Sequence, residues 1–270
     1  MGDNDGTKED EIFRLFVIFH KILHTECYED LSSNMVSRFF RYISVNSKIE
    51  KKIPDGINME LVFSERSLPW YNPFLQFNRF CESSAFYHIW ENMRYILPET
   101  VQYIGFFHYD MIFKSDIVDI LQKEILAAEE VGEKVLFVQS ALIARPHLGQ
   151  TFPLMGWQKI INLYNAIYGT RFHLLQVLYE KIPLYHSFVL HRDTFKELMF
   201  FAEFAIPKLF ELLNYETKHL PYDIERLHGI FLKLHTLNGR IQRWIPLSGS
   251  VIHTDRLKDD WKGEVRSEAI

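Results

Sequence analysis

The residues of this sequence that could do chemistry fall in a few short clusters. His20 and Lys21 close the apolar run FRLFVIFH. A lysine at the mouth of a buried strand can meet the charge of a nucleotide or phosphate; the alternative is an ordinary solvated loop pair. His108-Tyr109-Asp110 closes a second run, QYIGFFHYD. Strand alternation sets His108 and Asp110 on one side. A carboxylate beside a histidine is a platform for Mg²⁺ or Mn²⁺ under a diphosphate. The alternative there is a core histidine followed by an aspartate that caps the next turn. Glu82 lies within CESSAFYHIWEN. An acid buried among aromatic residues is costly unless it bonds to a hydroxyl or a cation; otherwise Glu82 is an exposed residue at a helix start.

These clusters need elements to position them. Phe13–His20 is a continuous apolar run rich in aromatic and β-branched residues, which predicts a strand buried on both faces. Further strands are expected over Glu60–Ser64, Gln102–Asp110, Lys134–Gln139, Leu184–Leu190 and Ile245–His253, the last interrupted by Gly249. Between them the spacing predicts helices. One covers Leu31–Tyr42 with Ser32 or Ser33 as its cap, and one covers Phe74–Met93. Another runs from Ser115 through Ala128, and Trp157–Tyr168 ends at Gly169. Asp193 caps a long helix that Pro207 should break near Phe204–Ile206. The last runs from about Asp223 to Asn238 and ends at Gly239. Strands alternating with helices predict an α/β domain with a mainly parallel central sheet, helices on both faces and a helical C-terminal part. Such sheets bind ligands at the carboxyl ends of their strands, which singles out His20 and Lys21, His108 to Asp110, His186 and His253. Residues 1–11 read as a disordered polar tail and 12–270 as one domain.

Composition removes several function classes. With 47% hydrophobic residues the chain can bury a large core. A net charge of −5 argues against a broad basic face for nucleic acid. Two cysteines, Cys27 and Cys81, make neither a disulfide framework nor a thiolate zinc site. No GxGxxG follows the first strand, and GxxxxGK[ST], GxSxG and HExxH are absent, which disfavours dinucleotide, P-loop, serine hydrolase and zincin chemistry. The acidic start, MGDNDGTKEDE, lacks the features of a secretory signal. No apolar stretch is long enough for a transmembrane helix. The expectation is a soluble cytoplasmic protein. The 23 Phe, 13 Tyr and 5 Trp fit an aromatic core and are compatible with rings that stack on sugar faces.

Three motifs taken together carry a resemblance. They are HK after the first strand, the set Glu82, Tyr87, Trp90 and Asn92, and YIGFFHYD followed by Phe113. In order and spacing they resemble the capsular-polysaccharide-type glycosyltransferases of bacterial polysaccharide loci and some large algal viruses, whose pattern reads roughly HK, then ELTALYWIWKN, then YIGLCHYRRYF. The segment SFVLHRDTFKELMFFAEFAIPKLFEL and the pair Arg226 and Gly229 extend the likeness, which spans most of residues 13–240. It implies a GT-A-like fold and transfer of a sugar from a UDP- or GDP-sugar to a hydroxyl of a glycan, glycolipid or glycoprotein acceptor. His20 and Lys21 would lie near the nucleotide, Glu82 near the donor sugar, and His108 to Asp110 at the diphosphate.

Two departures change the expected chemistry. The family's HYRR is HYDM here, so Asp110 stands where an arginine would neutralise the diphosphate. An aspartate repels a diphosphate unless a cation intervenes. We therefore expect Mn²⁺ or Mg²⁺ on His108 and Asp110, with His253 as third ligand and Lys258 and Lys262 as phosphate clamps; an ordinary surface histidine is the other reading of His253. The second departure is Lys233, where the family usually has glutamate. If the reaction inverts, the base must come from elsewhere. Asp223 and Glu225 are the candidates, with Asp193 better explained as a helix cap.

Overall fold

A computed structural model describes residues 11–77 and 79–254. The expected tail, apart from Glu11, and both Lys258 and Lys262 lie outside the described residues. In chain order the elements begin with β1 (Phe13–Phe19), α1 (Ser33–Phe39), β2 (Phe40–Ser44), β3 (Val62–Ser64), α2 (Pro73–Phe77) and α3 (Ser83–Ile96). Next come β4 (Tyr103–His108), β5 (Met111–Phe113), α4 (Ile117–Glu130), β6 (Val135–Val138), β7 (Ala141–Ile143), α5 (Ala144–Leu148), α6 (Met155–Tyr168) and α7 (Leu175–Leu178). The chain continues through β8 (Lys181–Pro183), β9 (Phe188–His191), α8 (Arg192–Leu212), α9 (Leu220–Leu237), β10 (Arg243–Pro246) and β11 (Val251–His253).

The central sheet has seven strands in the order β10-β6-β9-β4-β1-β2-β3. β9 alone runs against its neighbours β4 and β6; every other pairing is parallel. Every residue of β1 is buried, as its largely apolar run predicts, and the one charged member, Arg14, pairs with Glu11. Its Phe16 and Ile18 join a core under α3, α6, α8 and α9, while Phe13, Leu15, Val17 and Phe19 join a second core with α1 and α4 on the other face. The expected α/β architecture with a mainly parallel sheet is the observed one.

Several boundaries differ, each for a physical reason. The helix expected over Leu31–Tyr42 stops at Phe39, and β2 follows without a glycine or proline between them. Phe40 and Tyr42 are drawn into the sheet because Tyr28 and Phe113 offer ring contacts at 5.1–5.8 Å. Ser32 caps α1, its hydroxyl accepting from the Met35 N–H. Pro207 does not break α8, which runs for 21 residues. Pro207 faces solvent, so the carbonyl it leaves unpaired meets water, while Ala205, Ile206 and Leu209 hold the helix on the core. The strand expected over Ile245–His253 is two strands: β10 lines the main sheet beside β6, whereas β11 crosses to pair with β5. Gly229, on α9, is where that helix touches β8: an added Cβ would meet the Pro183 carbonyl at 2.4 Å.

Candidate active site

At the carboxyl edge of the sheet, His20 directly follows β1 and His108 ends β4. β9 enters from that same edge because it is inverted. His186, which precedes β9, therefore reaches the site through its strand's beginning and not its end, contrary to the expected Leu184–Leu190 strand. Tyr185 and His186 form a turn with φ of 65° and 46°, left-handed backbone that non-glycine residues adopt at a cost. α3 starts beside β1 and brings Glu82, and the second turn of α9 brings Glu225.

His20 is fully buried, and its Nε2 lies 2.6 Å from Glu82 Oε1. The sequence expectation for Glu82, an acid needing a cation or hydroxyl partner, is met by an imidazole. Burial alone would raise the Glu82 carboxyl; the charge and hydrogen bond of His20, with His108 beyond, outweigh it and hold the group well below the usual carboxylate range. Glu225 behaves oppositely. Burial raises its affinity for protons, against the opposing pull of the Tyr185 N–H, His108 and Arg226. Two carboxylates at one site with proton affinities driven apart are the arrangement that separates a permanent anion from a proton acceptor.

Asp223 points elsewhere. It is fully buried, accepts from Arg226 Nη1 at 2.6 Å and from the Thr151 hydroxyl at 2.8 Å, and so belongs to a structural ion pair at the start of α9. Arg226 also donates to Gln150. Lys233 reaches away from the site to Glu180, 3.0 Å away, with its ammonium 5.4 Å from the Trp244 ring. Asp193 lies beyond the opposite end of β9: its N–H donates to the His191 side chain, which caps α8, and its carboxylate lies within 3.5 Å of Lys134 and Lys196.

His108 and Asp110 do not share a strand face. β4 ends at His108, and Tyr109-Asp110 is the turn into β5. His108 follows Ile104 and Phe106 toward the α3 side, whereas Asp110 meets His253 on β11, with Oδ2 3.2 Å from Nε2. The other Asp110 oxygen is buried and unpartnered. The Tyr185 ring stacks on His253 at 6.1 Å. Among the described residues no three His, Cys, Asp or Glu side chains come together as a cation site. Asp110 and His253 nevertheless fit a Mg²⁺ or Mn²⁺ ion that draws its remaining ligands from phosphate and water.

Sequence reasoning missed three contributors. Lys51 donates to the carbonyls of His20, Val45 and Asn46, the last two at 2.6 and 2.7 Å, and so ties the ends of β1 and β2 together. Tyr185 gives Glu225 its backbone N–H. His228 is fully buried, its ring 5.0 Å from that of His186. His228 was findable: it lies three residues after Glu225, and residues so spaced share a helix face.

The chain is similar to the apo structure of WbbM, a bifunctional glycosyltransferase, with a TM-score of 0.54 and 15% identity. The match covers 87% of this chain and 44% of WbbM, so the chain spans less than half the length of that protein. The fold is GT-A-like. Weaker likeness extends to core-mannan synthase A of Aspergillus fumigatus in its Mn/GDP form, with a TM-score of 0.39, 12% identity and 86% and 76% of the two chains covered. Mouse xyloside xylosyltransferase 1 gives 0.35, 11% identity, and 87% and 84%. No protein-family model and no curated protein matches the sequence. Among the described residues, no helix is long and apolar enough to cross a membrane.

Proposed function

We propose that this chain transfers a glycosyl group from a UDP- or GDP-sugar to a hydroxyl of a glycan-type acceptor, with inversion. The observation that carries the reading is the pairing of Glu82, held ionised by His20, with Glu225, shifted toward proton uptake, at the carboxyl edge of a GT-A-like sheet. Ligands of open α/β sheets bind at that edge.

In the proposed step the acceptor oxygen attacks the anomeric carbon of the donor. The acceptor proton passes to Glu225, the bond from the anomeric carbon to the diphosphate breaks, and its electron pair leaves with the diphosphate. Glu225 suits the base: it is half-buried, its proton affinity is raised by burial, and the Tyr185 N–H fixes its orientation. Glu82 stays anionic and fixes His20 at the nucleotide side with Lys21. Asp110 and His253 would hold a divalent ion, which supplies charge compensation for the departing diphosphate. Lys258 is proposed to assist there. The motif resemblance supports a polysaccharide-building role.

The first test is thermal shift of the full chain with UDP-, GDP- and CMP-sugars, with and without Mn²⁺. A donor that stabilises only with metal, followed by turnover to a glycoside of inverted configuration, is the expected outcome. Stabilisation without turnover would reduce the protein to a binding relative. Hydrolysis of phosphate esters without any nucleotide-sugar preference would overturn the reading in favour of a phosphoesterase.

A further inference from the structure

Three histidines from three elements lie in a row, the last two packed on Phe86. They are His108 at the end of β4, His186 in the left-handed turn before β9, and His228 on α9. The His186 ring lies 6.4 Å from His108 and 5.0 Å from His228, and Phe86 packs 4.7 Å from His186 and 5.2 Å from His228. Exposure falls along the series, from partly exposed at His108 to 3% at His186 and 0% at His228. The Nε2 atoms of His108 and His186 and both nitrogens of His228 are buried without a hydrogen-bond partner. Each such atom has given up its hydrogen bond to water without replacement, which costs stability in the folded state. The strained Tyr185-His186 backbone adds to that cost. Such a concentration of unmet polar groups calls for a partner that completes them or a role in catalysis.

The chemistry of the missing partner can be read from the rings. Burial holds His186 and His228 neutral, with His228 pushed down to about 3. A neutral imidazole offers one N–H and one lone pair, which matches a hydroxyl, itself both donor and acceptor. Two carboxylates act on these rings, Glu82 on His108 and His186 and Glu225 on His108, while the Arg226 guanidinium is held by Asp223. A carboxylate carried in by the sugar would be a third, facing Glu82 and Glu225.

We propose that His108, His186 and His228 form the subsite for the hydroxyl groups of the transferred sugar, and that the site selects neutral sugars and rejects those bearing a carboxylate. The proposal rests on the nucleotide-sugar reading above and names the class of sugar that reading leaves open.

The test measures binding of UDP, UDP-glucose and UDP-glucuronate to the full chain with Mn²⁺, and of GDP and GDP-mannose if the guanine nucleotide is preferred. Wild type should bind the neutral sugar nucleotide at least about tenfold more tightly than the bare nucleotide or the glucuronate, the worth of one to two hydrogen bonds. His228→Phe replaces two unpartnered nitrogens by an apolar ring. It should raise Tm while erasing the gain that the sugar adds over UDP, and His228→Gln should retain part of it. A purely structural histidine predicts the opposite pairing, an unchanged sugar preference whatever happens to Tm. If UDP-glucuronate binds as well as UDP-glucose in wild type, or if the sugar preference survives His228→Phe, the proposal is wrong while nucleotide-sugar binding stands. If no nucleotide or nucleotide sugar binds at all, both readings fall together.

Discussion

α3 lies between two buried clusters of glutamate and histidine that differ in how far their hydrogen-bonding groups are satisfied. Around Glu65 and His88 both carboxylate oxygens have partners. Oε1 accepts from the Asn46 N–H at 3.3 Å and from Gln76, and Oε2 accepts from the Ser84 hydroxyl at 2.6 Å. His88 Nδ1 lies 3.0 Å from Oε2, at an angle that makes it a charge contact more than an ideal hydrogen bond, and Nε2 accepts from the Asn72 N–H at 3.1 Å. Asn92 then clasps Trp70 through both its backbone groups. This cluster pins the loops after β2 and β3 to α3. Around His108, His186 and His228 burial deepens from partial to complete, yet the Nε2 atoms of the first two and both nitrogens of His228 have no partner. A satisfied buried polar network holds a fold together; an unsatisfied one keeps places for something else.

The widest way to break the comparison is Glu65→Ala. It strands the Asn46 N–H and the Gln76 amide and removes the carboxylate facing His88 Nδ1, and should destabilise the fold by about 3–5 kcal/mol, read from the denaturant midpoint. The remaining folded fraction should keep its donor affinity. Glu225→Gln is the mirror image: kcat should fall by roughly 10²–10⁴ with little change in the unfolding midpoint. A comparable loss of stability there would move Glu225 into the structural class. Asp110→Ala should abolish metal-dependent donor binding while far-ultraviolet dichroism stays unchanged; full activity in that variant would remove its assigned role.

Smaller effects sharpen the contrast. The folded state holds His228 below its unfolded value of about 6.5, at about 3. The unfolded chain therefore binds more protons between those values, and stability present above pH 6.5 is lost as pH falls toward 3. His228→Phe should flatten that part of the stability profile. A profile identical to wild type would mean that His228 does not stay neutral. Lys233→Ala should change least, removing one pair with Glu180 worth at most about 1 kcal/mol, and should leave turnover intact. A large loss of turnover would return catalysis to that position.

Much of this molecule was readable from residue order alone. The apolar run Phe13–His20 fixed a central strand because only a strand covered on both faces tolerates seven consecutive buried side chains. Gly169 and Gly239 marked helix ends because left-handed backbone at φ 67° and 68° favours residues without a Cβ. The HK pair, Glu82 and the HYD triplet pointed to one edge of the sheet. Tertiary structure decided what no local pattern carries. It inverted β9, which brought His186 to the site from its strand's beginning. It split the last apolar stretch between two sheets, which set His253 against Asp110 instead of His108. It also separated Asp223 from Glu225, two neighbours on one helix whose side chains turn to an arginine and to the site respectively. Each of these depends on which distant segment covers a side chain, and that is settled by packing across the sheet, where contact follows space and not sequence separation.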